Sequence, residues 1–535
     1  GGVGGLQWVG SARAHLFRLT SGGASVAPAA SMLAVLESNH GFWRAGRSSG
    51  PAAPATSAST WTRISSLRRP SSAQQVGGGA VNGLRMDGDA LAALRAKYEA
   101  AGQGHLTQQM DKLPAEQQQA LAAQLSGIDP DHVNHLYQRT LAYKPPDGGV
   151  FAPLTEIAEL EGTAEQRQGW RARGLAEIAA GHVGALLLAG GQGSRLGFDH
   201  PKGMYNIGLP GKRTLFEMQA QRLLKLQSLA AAAAGSSSAT IYWYVMTSPA
   251  TDEETRADLE ANSFYGLERE QVFVFCQGML PCVSDEGKIM LESSHSVALA
   301  PNGNGGLYEG LASSGALKHM EEHGVEYVPQ YCVDNALVKI ADPTFVGYCA
   351  ELGADCGAKV VPKAHAHEKV GVIMKRDGRV GVVEYSEIDK ETAEATKPDG
   401  SLVYSACHLC INYFSRSFLV RAAAEMVPKM PLHVAHKAIP YYDPASESIV
   451  KPDKPNGIKM ELFIFDTFPF AEKFAALEID RLQEFAPVKN APGSASDTPE
   501  SARCVPPREL HLARHQRFGL DAQANGRGLP QKMGG

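Results

Sequence analysis

One short stretch constrains this chain more than any other. Val183-Gly-Ala-Leu-Leu-Leu-Ala189 is an unbroken apolar run that stops at Gly190-Gly-Gln-Gly193. Such a run is too short for a core helix and reads as a strand buried on both faces, as in a sheet covered by helices. The glycines that end it let backbone N–H groups approach a ligand closely, above all a phosphate.

The surrounding text has the same style. A helix is predicted over 214–229, strands over 241–246 and 272–275 with a helix over 252–262 between them, and further strands over 326–333 and 358–361. Strands alternating with helices imply an α/β fold with a mostly parallel sheet. Strands over 370–375 and 380–385 flank Asp377-Gly378, a hairpin signal. The low-complexity stretch 230–238 is expected to be a surface loop. Upstream, Ala90, Leu91, Leu94 and Tyr98 recur at helical spacing, and 113–125 is helix-forming before Gly127 and Pro130. The expected organisation is a helical N-terminal region at 86–150, a central domain at 151–440, and a C-terminal region at 441–535 that is truncated or divergent after 490.

Charge separates the first 85 residues from the rest. They carry eight arginines, no lysine and one acid, Glu37, leaving 43 basic and 55 acidic residues after them. Arg- and Ser-rich, acid-poor, low-complexity text is expected to be disordered or untranslated, with an organelle transit peptide as the competing reading. The acidic remainder offers no basic field for nucleic acid. No apolar run of about 20 residues is present to span a membrane. Eight cysteines in so long a chain do not make a disulfide scaffold, and a reduced, cytoplasmic setting is expected.

The chemistry concentrates in three places. Leu188-Ala-Gly-Gly-Gln-Gly-Ser-Arg-Leu-Gly197 is followed by Pro201-Lys202. It is not a dinucleotide fingerprint, because Leu196 stands where the last glycine belongs, and no Gly-Lys-[Ser/Thr] step makes it a P-loop. Arg195 and Lys202 beyond a strand end suit a polyphosphate on which charge develops. Pro301-Asn-Gly-Asn-Gly-Gly-Leu-Tyr308 is a second glycine loop, in which Asn304 can pair with a base edge. Tyr331-Cys-Val-Asp-Asn-Ala336 places Asp334 at a strand's carboxyl end, where a hard oxygen donor could share Mg²⁺ with substrate phosphates. Capping the next element is the alternative reading of that acid.

These motifs, with Gly353-Ala-Asp-Cys-Gly-Ala-Lys-Val-Val361, Val383-Glu-Tyr-Ser-Glu387 and Lys454-Pro-Asn-Gly-Ile-Lys-Met-Glu461, resemble the eukaryotic UDP-N-acetylglucosamine pyrophosphorylase family, in order from about Met86 to Asn490. The resemblance implies a central mixed, mostly parallel nucleotide-binding sheet, Rossmann-like or glycosyltransferase-A-like, and a nucleotidyltransferase that joins UTP and N-acetylglucosamine 1-phosphate with Mg²⁺ (or Mn²⁺), releasing pyrophosphate. By motif position it implies Arg195, Lys202 and Lys489 at the transferring phosphate and pyrophosphate. Gly190 and Gly191 would meet the nucleotide, and Gln277, Gly303 and Asn304 the uridine. Asp334 would sit at the metal. Gly371, Glu384 and His408 would hold the sugar, with Phe463 and Phe465 walling the N-acetyl pocket. Read without the family, those two phenylalanines are equally well alternating core residues of a strand.

This chain has His408 where the family commonly has a sugar-binding Asn, and Asn412 where the family has His. An unperturbed imidazole, pKa near 6.5, would make sugar affinity vary between about pH 5.5 and 7.5. A UDP-glucose or broad UDP-sugar pyrophosphorylase is the neighbouring alternative, and a non-catalytic UDP-sugar-binding regulator the more distant one. The spacing Cys407-His-Leu-Cys410 lacks a second pair for zinc and reads as structural. His365-Ala-His367-Glu368 reads as a solvated loop.

Overall fold

The apolar run forms strand β1, Gly184–Leu188, with every residue buried. It lies inside the main sheet of a computed structural model that describes residues 86–142, 149–158 and 163–504. The readings placed on residues 1–85 and on 505–535 fall outside the described residues. The further strands are β2 Tyr242–Thr247, β3 Val272–Cys276, β4 Tyr327–Cys332, β5 Cys356–Pro362, β6 Val372–Arg376, β7 Arg379–Val383, β8 Ala406–Ser415, β9 Gly457–Glu461 and β10 Phe474–Glu478.

Across the sheet the order is Ile157–Ala158, β10, β5, β8, β4, β1, β2, β3. Within this order only β8 runs antiparallel to its neighbours β4 and β5; the other pairings are parallel. The expected mixed, mostly parallel sheet is therefore present. Side chains alternate between two cores. Leu186, Leu188, Tyr244 and Met246 face one, and Ala185, Leu187, Trp243 and Val245 the other, as the period-2 pleat requires.

Parallel strands put their carboxyl ends on one edge. The glycine loop after β1, Ser248 after β2, Gln277 after β3 and Asp334 after β4 all lie there. Leu188 pairs with Cys332 on one side and Met246 on the other. The chain leaves β1 toward β2 on one side while β4 flanks it on the other, so the crevice between β1 and β4 is where such sheets bind ligands.

The helices largely follow expectation. Gly88–Ala100, Ala115–Gly127 and Pro130–Ala142 form the N-terminal region, where the buried Tyr98 hydroxyl donates to Leu125 O at 2.9 Å. This region shares one core with the sheet rather than standing apart. The stretch 230–238 departs from expectation. The helix that starts at Leu215 runs on through its alanines to Ala234 and stops at Gly235, whose φ of +64° takes the left-handed cap. Alanine is the best helix former, so low complexity here lengthens a helix instead of making a loop. The expected hairpin forms between β6 and β7, with Asp377 and Gly378 at φ +52° and +79°. The boundary expected at 440 falls inside this framework, because β10 is an interior strand of the main sheet and β9 pairs with His433–Lys437.

Candidate active site

The half of the site around the first glycine loop is built from four loops tied together by backbone bonds and one serine side chain. Gly191 O accepts from Lys202 N at 3.1 Å and Gly193 N donates to His200 O at 2.9 Å, so the loop doubles back and seats Lys202 against its own glycines. Ser248 Oγ donates to Gly190 O at 2.8 Å. A side chain on Gly190 would come 3.3 Å from Ser248 Cβ and 3.5 Å from Gln277 Oε1, which places Gln277 beside the glycine. Val333 N donates to Leu188 O at 3.1 Å, and Val488 N to Asp334 O at 2.9 Å. Asp334 thus stands between the first glycine loop and Lys489. A hydrogen bond with Cys410 and burial push the Cys332 thiol up, Asp334 adds to that, and Lys489 opposes it.

Beneath these loops lies a separate small apolar cluster. Leu196 and Ile207 of the first loop pack there with Ala336, Val488 and Ala502. Asn335 staples two of the loops: its Nδ2 donates to Glu484 O at 2.8 Å, and its Oδ1 accepts from Ala486 N at 3.0 Å. Behind the staple, fully buried Lys359 reaches Asp342 and Glu484, each at 2.6 Å, and Lys339 takes the other Glu484 oxygen at 2.8 Å. Burial opposes the Lys359 charge, but the two carboxylates outweigh it and hold its pKa up at about 12. Arg195 is exposed, and Lys202 and Lys489 are half-buried. Among the described residues no carboxylate pairs with any of the three.

The segment after Asn490 belongs to this half as far as it is described. Asp497 O accepts from both Lys489 N and Asn490 N, and the helix Pro499–Arg503 sends the Arg503 guanidinium to Ile207 O.

The second glycine loop links the two halves. Gly303 has φ +83°, and a Cβ there would come 2.4 Å from Leu462 O, so only glycine fits. Gly305 N donates to Leu462 O at 2.8 Å, and Asn304 Oδ1 accepts from Ile464 N at 2.9 Å. The Asn304 oxygen is therefore committed to backbone, and its amide N–H groups are what it can offer a base. Asn302 N donates to Gly278 O at 3.2 Å, which brings the loop to Gln277. Buried Asn302 Oδ1 has no donor among the described residues.

On the far side of this link the remaining candidates gather. Gly371 O accepts from His408 N at 2.9 Å, and a Cβ on Gly371 would lie 3.1 Å from Glu384 Oε1. The His408 ring stands edge-on to Phe465 and Phe468, at 5.5 and 5.7 Å, and Phe463 lies 5.2 Å from Phe465. The strand reading of these phenylalanines does not hold. β9 ends at Glu461, and 464–470 winds into a 3₁₀ helix around Pro469.

His408 corrects the expected pH dependence. Burial lowers its pKa to about 4, only partly offset by Asn412, so the ring is neutral across the physiological range. Its Nε2 lies 2.9 Å from Asn412 Oδ1, and Asn412 Nδ2 donates to Gln330 Oε1 at 2.7 Å. The two residues that depart from the family pattern are thus partners in one hydrogen bond. Burial, then Glu387, raises the Glu384 pKa.

A profile described as UTP–glucose-1-phosphate uridylyltransferase matches residues 154–523. The human UDP-N-acetylhexosamine pyrophosphorylase-like protein 1 is 43% identical over 455 residues, covering 82% of this chain and 88% of that protein. The chain belongs to the UTP–glucose-1-phosphate uridylyltransferase family. The UDP-N-acetylglucosamine pyrophosphorylase of Saccharomyces cerevisiae is 38% identical over 417 residues, covering 75% of this chain and 87% of that one. The crystal structure of the uridine diphosphate N-acetylglucosamine pyrophosphorylase from Trypanosoma brucei superposes with a TM-score of 0.71 at 32% identity, covering 81% and 86% of the two chains.

In this member of the uridylyltransferase family several residues of the site carry no motif signal. Gln330, Glu484, His433 and Asp466 are supporting side chains of this kind, whereas Asn335 lies within the strand-end motif and Asn412 is flagged by the family pattern; the register shift of β8 against β5 between His408 and Asn412 is not visible in the sequence. Cys407 is a buried free thiol; Cys410 is free too, and sits at φ +56° where the register of β8 against β5 shifts. Among the described residues no group of three His, Cys, Asp or Glu side chains could hold a metal. Glu368 is held by Arg481 at 2.7 Å and His367 by Glu394 at 3.0 Å, which leaves the 365–368 stretch a loop. No helix among the described residues is long and apolar enough to cross a membrane.

Proposed function

We propose that this chain joins UTP to N-acetylglucosamine 1-phosphate, giving UDP-N-acetylglucosamine and pyrophosphate. One juxtaposition carries the reading. Arg195, Lys202 and Lys489 have no carboxylate partner among the described residues, and Asn304 of the second glycine loop accepts from Ile464 N beside the paired rings of Phe463 and Phe465. The relatives' names point to the same chemistry. The sugar phosphate oxygen attacks the α-phosphorus in line and pyrophosphate leaves, so the protein's work is positioning and charge stabilisation.

Gly190 and Gly191 meet the nucleotide with backbone groups, and Gln277, Gly303 and the Asn304 amide read the uracil. Arg195, Lys202 and Lys489 balance charge on the transferring phosphate and the leaving pyrophosphate. Gly371, Glu384 and His408 hold sugar hydroxyls, and Phe463 and Phe465 give the acetamido methyl an apolar wall. Asp334 is a lone half-buried carboxylate with no ion-pair partner among the described residues. That donor set suits Mg²⁺, which takes one or two carboxylates and fills its shell with substrate phosphates and water. Bound at Asp334, the ion would supply charge neutralisation at the phosphates.

Pyrophosphate release measured with UTP and a panel of sugar 1-phosphates tests the reading. N-acetylglucosamine 1-phosphate should give the highest kcat/KM. A glucose 1-phosphate preference would move the chain to the UDP-glucose side of the family, and no turnover with any sugar would leave a UDP-sugar-binding protein.

A further inference from the structure

The sugar-facing half holds a titratable pair that the roles above do not use. His433 starts the strand that pairs with β9, and its ring stacks flat on Phe463, centroids 3.9 Å apart with 20° between planes. Its Nε2 lies 2.9 Å from Oδ2 of Asp466, and that same oxygen accepts from Phe463 N at 3.1 Å. One carboxylate oxygen therefore fixes both the backbone of Phe463 and the ring laid against its side chain. The Asp466 side chain is 9% exposed and that of His433 is 21%. A buried carboxylate with two donors on one oxygen is held in one geometry, because losing either donor leaves a desolvated charge short of partners. His433 also lines a groove of about 420 Å³ with Leu141, Val434 and Ile458. Removing the imidazole takes away the ring on which Phe463 stacks and so frees the phenyl ring to turn.

We infer that His433 and Asp466 are positioning residues for sugar selectivity: together they lock Phe463 as the wall that an acetamido group packs against, and so set the preference for 2-acetamido over 2-hydroxy sugar 1-phosphates. This rests on the reading of Phe463 given above. The bonds that fix the pair run to Phe463, while Asn304 is held separately by Ile464 N, so the larger effect is expected on the sugar and the smaller on UTP.

The test measures kcat/KM for N-acetylglucosamine 1-phosphate and for glucose 1-phosphate in the full chain, in His433→Ala and in Asp466→Asn. In His433→Ala the ratio of the two should fall about tenfold or more, mainly through the sugar KM, while the UTP KM stays within about twofold. Asp466→Asn keeps an acceptor oxygen and the side-chain shape and should lose less. A third variant, His433→Gln, restores an N–H near Asp466 without the stacked ring and should recover part of the ratio. An unchanged ratio in His433→Ala, with both substrates falling in step, would overturn the inference. Should His433→Ala not fold, an unchanged ratio in both Asp466→Asn and His433→Gln does the same. A parent chain that prefers glucose 1-phosphate contradicts the proposed function instead, and the pair is still judged by whether the ratio moves.

Discussion

The two halves of the site solve opposite problems. On the proposed phosphate side the cations have no carboxylate partners among the described residues, and backbone bonds, Lys202 N to Gly191 O and Val488 N to Asp334 O, hold the loops with help from Ser248 and Asn335. On the sugar side the polar side chains are already bonded to one another, His408 to Asn412 to Gln330 and His433 to Asp466, between aromatic rings. A half that meets a multiply charged ligand gains by holding bare charge ready. A half that must distinguish one neutral substituent from another gains by having few ways to rearrange.

Variants can break this contrast, and the largest effect is expected behind the phosphate side. Lys359→Met leaves Asp342 without its ion-pair partner and Glu484 with Lys339 alone, and should cost roughly 3–5 kcal/mol of stability, read by denaturant unfolding. The same change should make the Asp334–Lys489 region the first to gain amide exchange. Next come the unpaired cations. Arg195→Ala and Lys202→Ala should each lower kcat by roughly 10²–10³-fold with a smaller change in UTP affinity. A near-normal kcat in either variant would remove that residue from the transition state.

Smaller effects are expected at His408. Its pKa is depressed in the folded state, so the unfolded chain takes up the proton first as pH falls. The stability held by the neutral ring is complete above about pH 6.5 and drains away toward about pH 4. The stability gap between the parent and His408→Asn, followed by thermal melting across that window, should therefore narrow or invert in favour of Asn at acid pH. The sugar KM should not show an imidazole titration between pH 5.5 and 7.5. The smallest effect is expected from removing residues 1–85: kcat/KM and melting temperature of 86–535 should match the full chain.

The legibility of the two halves in the sequence differs for a physical reason. Backbone-built sites need glycine at fixed places and cations at strand ends, and both leave marks in order along the chain, as at Gly190–Lys202 and Gly303. The parallel strands β1 to β5 were equally legible, since burial on both faces writes continuous apolar runs, whereas β10 and Ile157–Ala158 were not. The supporting side chains were not. Gln330 and Asn412, or His433 and Asp466, are distant in sequence and ordinary in type, and only the pairing of β4 with β8 or the turn after β9 makes them neighbours. Phe463 and Phe465 alternate like strand residues yet sit on a 3₁₀ turn, because Pro469 and the Asp466 cap favour a helical path there. The depressed pKa of His408 is not legible in the sequence, because burial against Phe465 and Phe468 is a tertiary fact.

The place of β10 in the sheet has a consequence for how the molecule is made. Phe474–Glu478 slots between Ile157–Ala158 and β5, so an interior strand comes from chain that leaves the ribosome about 300 residues after the edge strand it touches. The nucleotide-side strands β1 to β4 can pair long before that, whereas the sugar side must wait with an open seam that exposes β5. Late closure of so distant a contact makes folding slow, and a nascent chain stopped short of residue 478 lacks a plank from the middle of its sheet, not a piece of tail.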